Sequence, residues 1–137
     1  MGWVNDRLHT YPRFTPKLWD KLRDSIATAV SEFNGSISNA HSDFLEFSDC
    51  TAMGPYCRRV EKRLGPSIEV FLDEKTKTLR TSKPDNAVCG YRAKADNTGL
   101  EFFLAAPVGP IGITVEEACK IALEDFLFPP SAPVEQL

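Results

Sequence analysis

Residues 67–105 constrain this chain most: four short alternating segments in a row, separated by turn chemistry. Ser67 to Asp73 places Ile68, Val70 and Leu72 on one side and Glu69 and Phe71 on the other, the period of a strand. Lys77 to Ser82 follows a polar turn, Asn86 to Ala93 follows a Lys83-Pro84-Asp85 break, and Leu100 to Ala105 follows Asp96-Asn97-Thr98-Gly99. The 73–76 and 96–99 connections suit hairpin loops built on a type I turn, with Gly99 placed for a positive φ. Links this short make neighbouring strands antiparallel, so the segment predicts a β-meander.

The flanks read as cover for that sheet. Thr15-Pro16 has the chemistry of a helix start, and Leu18, Trp19, Leu22, Ile26, Ala29, Val30 and Phe33 recur at helical spacing up to an Asn34-Gly35 stop. Residues 1–14 carry Trp3, Val4, Leu8, Tyr11 and Phe14, too apolar for a free tail, and are expected to form an arm packed on the domain, broken at Tyr11-Pro12. Ser36 to Ser38 suggests a strand start and Ser42 to Ser48 a strand, while Tyr56, Val60 and Leu64 match a helix face over 56–64. Ala106 to Gly112 reads as a Pro/Gly-rich crossing, and Thr114 with Glu117 as the capping box of a last helix ending at Pro129-Pro130. The expected architecture is α+β: an antiparallel meander of about five strands, with an N-terminal and a C-terminal helix in one layer on one face. One domain spans 15–130, and 131–137 form a frayed tail.

Composition removes several classes. With 42% hydrophobic and 26% charged residues the chain is ordinary globular material, so a packed core is expected rather than disorder. A net charge of −3 argues against general nucleic-acid binding, and the one dense basic cluster, Arg58, Arg59, Lys62 and Arg63, reads as a solvated face. No apolar run approaches a membrane span, and the first residues lack a secretory pattern, so the expected location is the cytoplasm, with Cys50, Cys57, Cys89 and Cys119 as free thiols.

Chemistry is sparse. A metal site would have to gather His41, Cys50 and Cys57, with His9, but Cys50 and Cys57 are separated by six residues where zinc sites favour two to four. A cysteine nucleophile would need Cys50 or Cys57 beside His41 and Asp43. The glycines before the last helix lack the Lys-Ser/Thr of a phosphate loop. No catalytic residue, cofactor or metal is therefore assigned. The expected function is a non-enzymatic module that binds a protein partner or itself as a homodimer, with neither nucleic acid nor membrane as partner. Its candidate surface is Phe71, Phe103 and Val88, apolar residues on the sheet face away from the helices. The alternative is a small-molecule-binding protein or enzyme with a pocket between helix and sheet.

Overall fold

The computed structural model describes residues 3–38, 40–83, 85–96 and 98–129, of which 3–13 are described as backbone alone. Helix α1 (Trp3–Gly35) leads into strands β1 (Leu45–Asp49), β2 (Cys57–Lys62), β3 (Ser67–Asp73), β4 (Thr78–Ser82), β5 (Asp85–Ala93), β6 (Leu100–Leu104) and β7 (Ile111–Ile113), and helix α2 (Val115–Leu127) follows. The seven strands form one sheet in the order of the chain, every neighbouring pair antiparallel. The α+β meander is as expected, with seven strands in place of about five. None of the helices is long and apolar enough to cross a membrane among the described residues.

Four segments differ from the sequence reading. Residues 57–62 are strand β2, not helix, because pairing with both β1 and β3 gives their backbone a ladder on each side. The Ala106–Gly112 crossing runs into the short edge strand β7, and Ser36 to Ser38 is turn and bend, not strand. Helix α1 runs unbroken through Tyr11-Pro12 and Thr15-Pro16. Thr15 is 1% exposed and shares the buried stripe of Leu18, Trp19, Leu22 and Ile26, so tertiary burial outweighs its capping preference. Packing of Trp3 and Tyr11 in the expected arm, and the 131–137 tail, lie outside the described residues; Phe14 packs against the core.

Both helices lie on one face. Their buried residues, Leu22, Ile26 and Val30 of α1 and Ala118, Ala122 and Leu123 of α2, join one core with Val60, Ile68, Val70, Leu72, Leu79, Tyr91 and Phe102. The helices run side by side in the same direction: Lys21 and Ser25 lie near Val115 and Glu116, and Phe33 meets Phe128 with ring centroids 5.7 Å apart. Small residues on α2, Ala118, Cys119 and Ala122, let it pack closely against both α1 and the sheet. The Thr114–Glu117 capping box is formed, each side chain accepting from the other residue's backbone N–H.

The turns close as the polar residues dictate. Asp73 accepts from the backbone N–H of Lys75 at 2.9 Å, and Asp96 takes the N–H and hydroxyl of Thr98. The positive φ falls on Lys77 (55°) in the first hairpin, whereas Gly99 does not adopt one.

Asn34 joins the end of α1 to the first strand. Its amide donates to the Leu45 carbonyl at 2.9 Å and its oxygen accepts from the Leu45 N–H at 2.8 Å, copying a strand's pairing with one side chain. Leu45 is buried, so losing the clamp orphans two backbone groups. Asn34→Ala is expected to cost about 2 kcal/mol in urea unfolding. Asn34→Asp is expected to lose a similar amount, because its carboxylate faces the Leu45 carbonyl. An Ala variant as stable as the wild type would show that the clamp contributes nothing.

Candidate functional site

A strand shows successive side chains to opposite faces. In β2 this sends Val60 and Lys62 toward the helices and Cys57, Arg59 and Glu61 away from them. Val60 is fully buried, and Lys62 is only 7% exposed. Its backbone is held by the β2–β3 turn, where Lys62 N–H donates to the Pro66 carbonyl at 3.0 Å and Gly65 N–H donates to the Lys62 carbonyl at 3.1 Å. Gly65 belongs in this turn because a Cβ there would stand 3.1 Å from the Lys62 Cβ.

Above Lys62 lies the C-terminal half of α2. The Lys62 ammonium stands 5.2 Å from the centre of the Phe126 ring, a cation–π contact. Among the described residues no carboxylate comes within ion-pair distance of it. α2 carries no basic residue in its last turn, so the partial negative charge of that helix end also faces this region unmatched by its own side chains.

Lys62 lines a cleft of about 280 Å³ between α2 and the sheet. Ile68, Val88, Ile121 and Phe126 supply its apolar wall. Lys83 brings an ammonium group from the β4–β5 connection and Asn86 an amide from the start of β5, Ser67 at the start of β3 lines the rim, and Asp125 stands on the helix side. The cleft therefore combines an apolar body with a cationic inner end, the make-up of a small-molecule site.

The candidate surface divides. Phe71 lies on the face away from the helices, paired with Cys57 on one side and Arg80 on the other, and is 6% exposed. Phe103 shares that face but lies across Gly90, where a Cβ would meet its ring at 2.5 Å, and Arg92 caps the ring at 4.8 Å. Val88 is on the other face, in the cleft. The register slips between Leu79 and Arg80, so Leu79 pairs with Cys89 and Arg80 with Ala87, leaving Val88 as the extra residue of a bulge.

The remaining sequence candidates are scattered. His41 accepts from the Asp43 N–H at 3.0 Å in the turn before β1, whereas Cys50 and Cys57 lie beyond the far end of β1. The cysteines and the histidine are thus kept a strand's length apart. No group of three or more metal-ligating side chains gathers among the described residues. The basic cluster is split between faces: Arg58 stacks on Phe47 and pairs with Asp49, Arg59 pairs with Glu69, and Arg63 lies over Phe44. The first turn of α2 satisfies its own amides through the capping box.

The outer face holds a small polar cluster around Glu69. Its carboxylate accepts from Arg59 at 2.7 Å and from the Ser82 hydroxyl at 2.7 Å. Burial pushes the Glu69 carboxyl up, but the bonds from Ser82 and Arg59 outweigh burial and hold it below the ordinary glutamate range. A depressed folded value means a contribution present in full above the unfolded value, about pH 4.3, and lost as pH falls through the folded one. Glu69→Gln is therefore expected to lower stability by about 1 kcal/mol at pH 7, with the gap to wild type closing below about pH 4. A gap unchanged at acid pH would contradict this. No family model, curated protein or solved structure matches the chain.

Proposed function

We propose that this chain is a small-molecule-binding protein that takes a small organic anion in the cleft between α2 and the sheet. The observation that carries the reading is Lys62, buried beneath Phe126 with no carboxylate partner among the described residues. The Lys62 side chain is mostly buried and its ammonium opens to the cleft, and partly withdrawing an ammonium from water costs free energy unless something compensates it. A ring face and a helix end return part of that cost, and an anionic ligand would return the rest. Lysine acts here as a point charge with three donors, suited to a carboxylate or a phosphate head. Asn86 adds a neutral hydrogen-bonding group, and Val88, Ile121 and Phe126 receive the apolar part. A volume near the lower end of ligand sites favours a small molecule over a lipid. No bond-making step is assigned to the cleft. Four free thiols suit a reducing compartment, and the cytoplasm is the location we assign.

A second reading, a protein-interaction or self-associating module, draws support from the sheet edge. β7 is a three-residue edge strand with Ile111 52% exposed, and Val108 in the preceding turn is 90% exposed. A concentration-dependent sedimentation coefficient, abolished by Ile111→Lys, would favour it.

Thermal-shift and calorimetric titration with short carboxylates and phosphate monoesters, each against a neutral amide or alcohol of the same shape, tests the first reading. The anions are expected to raise Tm and the neutral analogues to leave it unchanged. Lys62→Met is expected to fold with unchanged or raised stability, because it removes a partly desolvated charge and keeps the apolar stem. It is also expected to lose anion affinity by at least about tenfold, or 1.4 kcal/mol. Equal binding by Lys62→Met, or no anion effect on the wild type, would overturn the proposal.

A further inference from the structure

The six-residue separation of Cys50 and Cys57 disqualifies them as a zinc pair but has a different meaning in the fold. The last pair of the β1–β2 ladder is Asp49 with Arg58, and one step further along the same register sets Cys50 opposite Cys57. Directly opposed residues of an antiparallel pair have Cα atoms about 4.5–5.5 Å apart, inside the 4.4–6.8 Å that a disulfide spans. The two thiols are close enough to influence each other, the neighbouring Cys50 raising the Cys57 thiol after burial has done so. Arg59 donates to the Cys50 sulfur at 3.6 Å. The two thiols differ in access, Cys50 being half-buried and Cys57 3% exposed.

We propose that Cys50 and Cys57 form a thiol pair that closes reversibly to a disulfide across the mouth of the β1–β2 connection when a small-molecule disulfide is the oxidant. The Cys50 thiolate, the accessible partner beside a cation, attacks one sulfur of the oxidant. This forms a mixed disulfide and expels one small thiolate. Cys57 then loses its proton to solvent and attacks the Cys50 sulfur, expelling the second small thiolate. Two protein thiols are oxidised by two electrons, one small disulfide is reduced to two thiols, and the protein gains one intramolecular S–S bond. Burial, and after it the neighbouring Cys50, pushes the Cys57 thiol up to about 12, which suits it to resolve rather than to initiate. Cys89, whose thiol burial pushes to about 12, and Cys119 lie in the core and are expected to stay reduced. The closed pair would pin the β1–β2 connection beside Phe71 and the Glu69–Arg59 cluster.

The test is oxidation of the native chain in oxidised and reduced glutathione mixtures, acid quenching, thiol counting after denaturation, and peptide mapping. The expected result is loss of two of the four thiols, a Cys50–Cys57 cross-linked peptide, no retained glutathione, and recovery of both thiols on reduction. Cys57→Ser is expected to stop at one glutathione on Cys50, and Cys50→Ser to remain unmodified. If Cys57→Ser does not fold, the wild-type map and Cys50→Ser decide. A glutathione adduct that persists on wild-type Cys50, a cross-link between chains, or a bond involving Cys89 or Cys119 would overturn the proposal.

Discussion

The structure depends on hiding one face of a seven-strand meander. Alternation along each strand leaves little freedom about which residues are hidden. Once Val60, Ile68, Val70 and Leu79 are buried under two helices, the residues two positions along are carried to the same side. Lys62 is carried under α2 in this way, two places from Val60 at the end of β2. Its long apolar stem tolerates burial. Its charge is left with a ring face, a helix end and an open cleft. The candidate site is thus a consequence of the sheet's period meeting a cation at a position where the covering helix ends.

The opposite face has no helix and solves its exposure differently. Ion pairs tie neighbouring strands across it: Arg59 with Glu69, Arg80 with Asp85, and Arg92 with Glu101. Exposed pairs of this sort add little stability, but they keep the face wet and its register fixed. Apolar residues there are covered locally. Phe103 lies over Gly90, and Phe71 and Cys57 are buried outside the main core, where Arg59 donates to the Cys50 sulfur. The two faces carry the two proposals separately, the cleft on the helix side and the thiol pair on the other.

Much of the fold was legible in the sequence because its signals were local. The β3 alternation, the Asn34-Gly35 stop and the Thr114–Glu117 box each depend on residues a few positions apart, and each appears where the spacing put it. What was not legible depended on partners distant in the chain. Residues 57–62 carry apolar positions that fit a helix as well as a strand, and only pairing to β1 and β3 decides between them. That ambiguity concealed the cleft: read as helix, Lys62 joins a solvated basic face, and read as strand it follows Val60 inward. The bulge at Val88 leaves no mark in the alternation, so the sequence placed Val88 with Phe71 and Phe103 while the register turns it to the cleft. Thr15 shows the same limit, since a good cap residue is also small enough to be buried mid-helix.

The central claim is that a buried lysine between helix and sheet makes the cleft an anion site. The most direct measurement is the two-dimensional NMR spectrum of the labelled protein, titrated with a short organic carboxylate and with its neutral amide. The account predicts carboxylate-dependent shifts at Lys62, Ser67, Asn86, Val88 and Phe126, saturating together, and none with the amide. Shifts that spread over the exposed lysines of α1 without saturating, or that the amide reproduces, would contradict it.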